Sequence, residues 1–527
     1  MSPPLSSVDV ASNPQPRLSL CMIVRDAERT LEPCLESIRP WVDELVVVDT
    51  GSVDSTVEIA KGLGARLYHF PWCDDFSAAR NVSLEHAEGE WLFWMDADDT
   101  IDEASGRKLR ELADGPHDST LYGYVLQVHC PGGDDSGDST VVDHVKLFRN
   151  LRELRFEGRI HEQILPAIRR AGGDVGWTDI FVTHSGSDQS PEGRRKKHDR
   201  DLRILHLEHQ ERPDHPFVLF NLGMTYADME QHEKAVGWLR QSIDRAQPTE
   251  SHLRKAFAIL VSSLHQLGRR VEAEEACERA LTVIPDDPEL LFRRGMLAHE
   301  SGQLQAAVDA YHRVLSPHSD RYFASLDSGV IGAKAHHNLA CVYADLRRLD
   351  LAEIEWRRAL EAGGGAPAHR SLVETLIQQR RFTAAAMEIA KLESAMPQNH
   401  DAFLLRARLE ESQGRLALAR EQLQEAIERH PNEATVWESL GRFLFEHGEP
   451  GDAVAALAEL ARLEPQNGAT WHNLGLAQLR AGEAAAAVQS LEQSLQVRPD
   501  SDQTEMHLKQ AKAILQSNCA AERIGTA

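Results

Sequence analysis

Between Leu18 and about Gly186, short apolar runs rich in β-branched residues alternate with segments of helical periodicity. The runs LSLCMIV, ELVVVD, ARLYHF and EWLFWMD have the length and composition of strands, and the segments between them predict helices. Continuous apolar strands that alternate with helices favour an α/β domain, with a mostly parallel sheet covered by helices on both faces. Ligands of such sheets bind at the carboxyl ends of the strands, so we expect a site there.

The second part of the chain, from about Pro213, changes to helix after helix with prolines at a regular interval. The prolines at positions 397, 431, 465 and 499 follow one another every 34 residues. Segments between them, such as WHNLGLAQLRAGEAAAAVQSLEQSLQVRP, place a large residue, Leu-Gly, Gly and Ala at fixed offsets. This period with these offsets is the tetratricopeptide pattern of paired helices. The sequence therefore predicts an all-α solenoid of about eight repeats.

These two patterns divide the chain, and an insertion interrupts the second of them. The segment HSDRYFASLDSGVIGAKAHHN (318–338) lengthens the spacing between the third and fourth repeats, either as a contact loop or as a loosened repeat. The later segment DQTEMHLKQAKAILQSN is polar enough to cap a solenoid. The predicted organisation is a disordered tail (1–17), an α/β domain (18–186), a helical linker (187–212), repeats with a capping helix (213–517) and a second tail (518–527).

The composition of the chain limits the kinds of partner and the cellular compartment that we expect. A chain of 527 residues is too long for one hydrophobic core, which agrees with two domains. The net charge of −25 argues against nucleic acid or an anionic membrane as a partner, because both require a basic surface. The seven cysteines form no Cys-x-x-Cys pair, and the sequence shows neither a signal peptide nor an apolar run of about 18 residues that could span a membrane. We therefore expect a reducing, cytoplasmic location.

The stretch EWLFWMDADDT (90–100) is the strongest candidate for a site. A buried strand that ends in three carboxylates, Asp96, Asp98 and Asp99, is unfavourable unless a cation lies there. Carboxylate oxygens suit hard divalent cations, and Mg²⁺ or Mn²⁺ held in this way commonly bridges a diphosphate. The same spacing is also compatible with a turn capped by aspartates.

Four motifs taken in order, CMIVRDAE, LVVVDTGSVDST, DFSAARN and WMDADD, resemble the nucleotide-sugar-binding part of a family 2 glycosyltransferase of GT-A fold. The later motifs KLFRN, FEGRIHEQI and VTHSG are similar to a branch of that family that often carries tetratricopeptide repeats. The resemblance covers residues 18 to about 210 and, as a domain combination, nearly the whole chain. It implies inverting transfer from a nucleoside diphosphate sugar, UDP-linked, with Mn²⁺ or Mg²⁺ as cofactor. The repeat groove would present a protein or peptide acceptor, or would tether the enzyme to an assembly.

The resemblance assigns roles to three aspartates and one arginine. Asp49, at the end of the second strand, would accept a hydrogen bond from the nucleotide base, or would cap the turn before Gly51. Arg80 would contact the ribose or the diphosphate through charge-assisted hydrogen bonds, or would pair with a nearby acid. Asp96 would bind the ribose hydroxyls, and Asp98 would bind the metal.

Further residues enter the site through the same resemblance. Arg25, in the first motif, is assigned to donor binding, and Asp99 either supports the metal site or caps a helix. His184, in VTHSG, matches the position of another metal ligand or diphosphate contact, although a structural role at a strand end is equally open. Lys197 and Arg200, in the basic run EGRRKKHDR, would screen the departing diphosphate or lie on a solvated helix face.

A transfer reaction also needs a base that removes a proton from the acceptor. Glu162 in GRIHEQI is the predicted catalytic base, and the adjacent His161 is its rival. The sequence departs from the resembled family here, because many members have an aspartate in the corresponding acidic pair. Both side chains could instead lie on a helix surface.

Two other functions are compatible with parts of the sequence. The repeats alone would suit an interaction scaffold whose N-terminal domain binds nucleotide without catalysis. The retained set of Asp49, Arg80, Asp96 and Asp98 favours an enzyme instead. A nucleotidyltransferase would also combine a parallel sheet, a metal and a nucleotide, but sugar nucleotidyltransferases usually carry a Gly-rich loop after the first strand. The corresponding stretch MIVRDAERT contains no glycine.

Overall fold

The computed structural model describes residues 17–130, 140–186, 190–316 and 326–525. The chain divides into two compact units between Val342 and Tyr343. The first unit contains a mixed sheet and the first helix pairs, and the described residues of the second unit form helices and their connections. Among the described residues, no helix has both the length and the apolar composition needed to cross a membrane.

Nine strands of the described residues form one sheet in the first unit. The strands are β1 (Leu18–Val24), β2 (Glu44–Asp49), β3 (Arg66–His69), β4 (Trp91–Trp94), β5 (Asp99–Thr100), β6 (Leu121–Cys130), β7 (Thr140–Arg149), β8 (Asp174–His184) and β9 (Leu326–Asp327). The helices that surround the sheet and lead away from it are α1 (Leu31–Ile38), α2 (Thr56–Gly62), α3 (Phe76–His86), α4 (Glu103–Asp114), α5 (Leu165–Arg170) and α6 (Pro191–Glu211).

The helical repeats follow α6. Their helices are α7 (Pro216–Asp228), α8 (His232–Arg245), α9 (Leu253–Gln266), α10 (Arg270–Val283), α11 (Pro288–Glu300), α12 (Leu304–Val314), α13 (Ala333–Asp345), α14 (Leu349–Glu361), α15 (Gly365–Gln378), α16 (Phe382–Ala395), α17 (Asp401–Ser412), α18 (Leu416–Arg429), α19 (Ala434–His447), α20 (Pro450–Leu463), α21 (Gly468–Arg480), α22 (Ala484–Val497) and α23 (Asp502–Gly525). In the described residues these are eight consecutive pairs, α7–α8 to α21–α22, and the single helix α23, which extends past the predicted end of the repeats.

The four strands predicted from apolar runs are β1 to β4, and they lie parallel in the order β3-β2-β1-β4. The sheet continues as β7-β6-β8-β5. Strand β7 is antiparallel to β4 on one side and to β6 on the other, and it forms a long antiparallel ribbon with β6. The predicted fold class, an α/β domain followed by an all-α repeat array, is confirmed, and the sheet is mixed beyond its parallel half.

Helices cover both faces of this sheet, as the continuous apolar strands predict. On one face Leu35 of α1 and Leu109 of α4 belong to one buried core. On the other face Leu84 of α3 and Ile168 of α5 belong to a second core, together with Cys21 from the middle of β1. A strand that contributes alternate side chains to two cores is buried on both sides, which explains its apolar composition.

The Leu-Gly signature of the repeats has a packing reason. A Cβ atom added to Gly223 in α7 would lie 2.6 Å from the side chain of Leu239 in α8. A Cβ atom added to Gly475 in α21 would lie 2.7 Å from the side chain of Leu491 in α22. Glycine therefore allows the two helices of a pair to approach each other closely, and the leucine fills the space.

The described part of the 318–338 insertion contacts the sheet. Strand β9 pairs antiparallel with β7, with Leu326 opposite Val141 and Asp327 opposite Thr140. Residues 318–325 of the insertion lie outside the described residues. The insertion thus adds a short strand from the repeat array to the sheet of the α/β domain.

Helix α6 joins the sheet to the repeats through a small hydrophobic core. Ile204 and Leu205 of α6 are completely buried. They belong to one cluster with Ile160, which precedes α5, and with Leu222 of α7. Trp238 of α8 packs against the same cluster. The predicted helical linker is therefore packed against both of the elements that it connects.

Candidate active site

The carboxyl ends of β1, β2 and β4 meet at one edge of the sheet, because these strands are parallel neighbours. A cavity of about 610 Å³ opens there, and we call it the strand-end cavity. Its lining includes Arg25, Arg29, Arg80 and Arg200, the acidic residues Asp26, Asp96 and Asp98, and the neutral residues Thr50, Trp72 and Phe76. Four arginines and three carboxylates around one cavity suit an anionic ligand together with a cation.

Arg80 connects this cavity to the protein interior. The residue lies on α3, and its guanidinium group stacks 4.3 Å from the ring centroid of Trp94. One nitrogen donates to Asp96 Oδ1 at 2.6 Å, and Nε donates to Glu162. Burial raises the pKa of Asp96, but the charges of Arg80 and Lys146 and the hydrogen bond from Arg80 together outweigh that effect and hold the pKa below its usual value. Asp96 therefore carries its charge beside its own cationic partner.

Asp99 has a different partner, which the sequence reasoning missed. Lys146 Nζ, on β7, lies 2.7 Å from Asp99 Oδ2, and both side chains are only 1% exposed. The ammonium group also lies 3.9 Å from the ring centroid of Trp94. Burial raises the pKa of Asp99, but Lys146 and a hydrogen bond from His184 lower it well below its usual range. The available signal was a lysine inside the apolar run VKLF, since such a lysine requires a buried acid.

His184 and Asp98 complete the acidic group. His184 Nδ1 lies 2.9 Å from Asp99 Oδ1 and 3.5 Å from Asp98 Oδ1. The hydrogen bond with Asp99 raises the pKa of His184, and burial raises the pKa of Asp98. Among the described residues, no lysine or arginine pairs with Asp98, in contrast to Asp96 and Asp99. Asp98 is therefore the one of the three carboxylates in MDADD that has only a histidine beside it in the described residues.

The donor set fits a hard divalent cation. Possible ligand atoms of Asp96, Asp99 and His184 lie within 4.8 Å of one another. Asp99 is already paired with Lys146 and is withdrawn from solvent, so the more exposed Asp98 would be the ligand in its place, and this role stays a prediction. The bond between Asp99 and Nδ1 of His184 orients the ring and leaves Nε2 for a metal, which is a common arrangement around metal-binding histidines.

Asp49 lies at the end of β2 and is nearly buried. Its Oδ1 accepts a hydrogen bond from Ser52 N at 3.0 Å, and its Oδ2 accepts one from Gly51 N at 3.2 Å. His69 Nδ1 is 3.3 Å from Oδ2. Burial raises the pKa of Asp49, but hydrogen bonds from Ser52 and Gly51 lower it below its usual value. The turn contact is present, while contact with a nucleotide base stays a prediction.

Glu162, the predicted base, is paired with Arg80, and its side chain is 10% exposed. It lines a second cavity of about 60 Å³ together with Trp94 and His144, and we call this space the inner cavity. His161 has a positive φ of 56°, and its Nε2 is buried without a partner in the described residues. Burial lowers the pKa of His161. The two neighbours therefore differ in their contacts: Glu162 pairs with Arg80, whereas Nε2 of His161 has no partner in the described residues.

The remaining predicted donor residues lie at the mouth of the strand-end cavity or close to it. Arg25 and Arg200 both line the cavity and are exposed. Arg200 donates to Asp201 at 2.8 Å and lies 5.5 Å from the ring centroid of Phe76. Lys197 is exposed one helical turn earlier on α6. The predicted roles, donor binding for Arg25 and screening of the diphosphate for Lys197 and Arg200, stay predictions.

Comparison with known proteins assigns the two parts of the chain. The profile of glycosyl transferase family 2 matches residues 19–165. Profiles of the tetratricopeptide repeat match residues 218–248, 260–321, 372–434, 404–468 and 438–504. The predicted combination of a family 2 glycosyltransferase domain with tetratricopeptide repeats is therefore confirmed.

Named relatives agree with this assignment. A TPR repeat-containing protein of Synechococcus elongatus is 29% identical over 352 residues, which cover 66% of this chain and 75% of that protein. Glycosyltransferase SunS of Bacillus subtilis is 24% identical over 262 residues, covering 49% and 61%. The lipopolysaccharide core biosynthesis glycosyltransferase LpsC of Rhizobium meliloti is 27% identical over 165 residues, covering 29% and 58%. The chain thus spans less than two thirds of the length of SunS and of LpsC.

Proposed function

Since the chain carries a family 2 glycosyltransferase domain joined to tetratricopeptide repeats, we propose that it is an inverting, metal-dependent glycosyltransferase. The donor is a nucleoside diphosphate sugar, with UDP as the nucleotide, and the acceptor is a protein or peptide. The observation that carries the proposal is the distribution of charge in MDADD. Asp96 and Asp99 each have an arginine or lysine partner in the described residues, whereas Asp98 has neither.

The strand-end cavity is the donor site in this proposal. Asp98 and His184 would hold Mn²⁺ or Mg²⁺, which when bound would neutralise the diphosphate and assist its departure, and Asp96 would bind the ribose hydroxyls. Arg25 and Arg200 line the same cavity, and their guanidinium groups are suited to phosphate oxygens. The cavity volume of about 610 Å³ is in the range of small-molecule and cofactor sites.

Glu162 is the base in the transfer step. The acceptor nucleophile forms a bond to the anomeric carbon while the bond from that carbon to the diphosphate oxygen breaks, so the configuration inverts. Glu162 accepts the proton of the nucleophile, and the nucleoside diphosphate leaves with the bonding electron pair. Arg80 holds both Asp96 and Glu162, so it positions the base relative to the donor site.

Calorimetric titration of UDP and of GDP, each with and without Mn²⁺, tests this function. We expect metal-dependent binding of one nucleotide, and Asp98→Asn should weaken it by at least about ten-fold. Asp179→Asn is the matched control. Asp179 is an exposed aspartate that pairs with Lys108 on the surface, and its loss should leave the affinity unchanged.

Two results would contradict the proposal. One is binding that does not depend on the metal and is equal in Asp98→Asn and wild type. The other is the absence of nucleotide binding under every metal condition, which would contradict a donor site and leave the repeats as the place to look for function.

A further inference from the structure

A third cavity lies inside the first unit, where the α/β domain meets the first repeats. It has a volume of about 400 Å³. Its walls come from residues 157–170 around α5, from the end of α6, from the start of α7 and from residues 250–252 before α9. We call it the joint cavity, and neither donor binding nor repeat packing explains its lining.

The lining of the joint cavity adjoins the predicted base. It shares Gln163, Leu165 and Ser251 with the inner cavity, and Glu162 lines the inner cavity beside them. Glu162 in turn pairs with Arg80, which lines the strand-end cavity. Glu162 therefore lies between the residues that line the two larger cavities, since it pairs with Arg80 on one side and adjoins Gln163 on the other.

The repeat array contributes to this region from two directions. Ser251 and His252, from the connection into the second repeat, line the joint cavity. Strand β9, from the insertion, pairs with β7 at Thr140 and Val141, directly before the residues 142–145 that line the inner cavity. The repeats thus contribute to the lining of the joint cavity and, through β9, lie beside the lining of the inner cavity.

Two histidines in the wall of the joint cavity each have a ring nitrogen without a partner in the described residues. His252 is 5% exposed, and its Nε2 forms no hydrogen bond. Nδ1 of His215, which also lines the cavity, is buried without a partner. A buried polar atom without a partner is unfavourable, so a rotation of either ring toward a ligand that supplies hydrogen bonds would remove that cost. Burial lowers the pKa of each ring to about 4, so both are neutral near pH 7 and can donate and accept.

The charges of the lining cancel. Three arginines and three glutamates face the cavity. Arg170 pairs with Glu157, and Arg212 pairs with Glu208 at 3.1 Å. A phosphorylated acceptor, such as a lipid-linked sugar, would need an excess of positive charge, which this lining lacks. Phe217, a leucine and two prolines add apolar surface beside the polar groups, so the lining suits a chain that is both apolar and hydrogen-bonding.

We propose that the joint cavity is the acceptor site and that it binds an extended polypeptide segment whose nucleophilic side chain reaches Glu162 through the inner cavity. This inference rests on the glycosyltransferase function proposed above. It places the acceptor between the catalytic domain and the first two repeats, and not in the groove of the second unit.

The test uses the full chain, radiolabelled UDP- and GDP-sugars, and short synthetic peptides pooled by their central nucleophilic residue. Pools of neutral oligosaccharides and a polyprenyl phosphate serve as the other acceptor classes. Ser251→Trp fills the mouth of the joint cavity from an exposed position. Ser517→Trp makes the same change on exposed α23 as a control, and Ser439→Trp fills a groove of the second unit. Metal-dependent nucleotide affinity is measured for every variant.

We expect at least one peptide pool to be labelled, and Ser251→Trp should reduce that labelling by at least about ten-fold while nucleotide affinity is unchanged. Ser517→Trp and Ser439→Trp should keep the wild-type labelling. Labelling of oligosaccharide or polyprenyl phosphate alone would overturn the proposal, as would peptide labelling that only Ser439→Trp abolishes. If wild type bound no nucleotide, the glycosyltransferase function itself would fail. Nucleotide binding without peptide transfer would remove only the acceptor site.

Discussion

At the residue scale, the buried ion pair between Lys146 and Asp99 is the first feature to test. Removing one member of such a pair leaves an uncompensated charge in the interior. Lys146→Met should therefore lower the free energy of unfolding of the first unit by about 3–5 kcal/mol. Hydrogen exchange of the β1 and β4 amides measures this quantity for the first unit alone.

A matched ion pair on the surface shows whether the loss in free energy of unfolding comes from burial of the pair or only from the number of charges removed. Lys108→Met breaks the exposed pair with Asp179 and should change the same free energy by less than about 1 kcal/mol. The double variant Lys146→Met with Asp99→Asn should regain part of the lost stability, because no isolated charge remains. Equal losses for the two single lysine variants would show that the buried pair has no special role.

His252 predicts a dependence of stability on pH. Burial lowers its pKa from the usual 6.5 to about 4. Between these values the unfolded chain binds a proton that the folded chain does not bind. The free energy of unfolding therefore decreases as the pH falls from 6.5 to 4, by about 3 kcal/mol for one such group. His252→Gln should make this decrease smaller, as measured by the same hydrogen exchange at each pH.

His215 also has a pKa lowered to about 4 by burial, so a reduced dependence on pH should persist in His252→Gln. His430→Gln, in the second unit, should leave the pH dependence of the first unit unchanged. An identical pH dependence in wild type and His252→Gln would contradict the assigned pKa.

Only part of this site could be predicted from neighbouring residues in the chain. The position of MDADD after an apolar strand predicts carboxylates at the sheet edge, and the structure places them there. Their partners are distant in sequence: Lys146 is 47 positions from Asp99, and Glu162 is 82 positions from Arg80. Such pairs depend on which strands become neighbours, and periodicity within one segment does not contain that information.

At the scale of elements, the close contact inside a repeat predicts a local loss of stability. In Gly475→Ala the new Cβ would lie 2.7 Å from the side chain of Leu491, so α21 and α22 must move apart or leucine must change its conformation. We expect a loss of about 1–3 kcal/mol in the free energy of unfolding of the second unit. Hydrogen exchange of the α21 and α22 amides measures it.

Gly451→Ala is the control for this change, because it replaces a helical glycine of the same unit. A Cβ atom at Gly451, in the first turn of α20, meets no atom within 4 Å. The substitution should therefore stabilise the helix slightly, by less than about 1 kcal/mol. A loss of stability equal to that of Gly475→Ala would attribute both effects to the helix backbone and not to contact between helices.

The strands differ in how well their bounds and their pairing could be predicted from the sequence. Strand β1 begins and ends where its apolar run does, at Leu18 and Val24, because burial on both faces makes the strand apolar except at Ser19, whose hydroxyl donates to Glu44. The antiparallel pairing of β6 and β7 was not predicted, because residues 131–139 separate the two strands in the sequence and their register shifts between Tyr124 and Val125. Strand β9 is two residues long, and it exists only through its pairing with β7, so no local pattern could show it.

At the scale of the whole molecule, the change of hydrophobic period and the division into compact units lie at different places along the chain. The change of hydrophobic period marks the start of the repeats near residue 213, whereas the division between compact units lies between Val342 and Tyr343. The core around Ile204 and Leu205 and the pairing of β9 explain the difference, because both attach the first repeats to the sheet. The first repeats should therefore be part of the folding unit of the catalytic domain.

This attachment predicts opposite effects of two truncations. A chain that ends at Asp345, after α13, keeps the contacts of Ile204 and Leu205 with Leu222, and its β1 and β4 amides should exchange as in the full chain. A chain that ends at Glu211 uncovers these two side chains, at about 2 kcal/mol each, and also loses β9. Its amides should exchange faster, and its melting temperature should be lower. If the shorter chain matched the longer one in both measurements, the repeats would be dispensable for the fold of the domain. Their contact with the sheet would then have to be explained by acceptor binding alone.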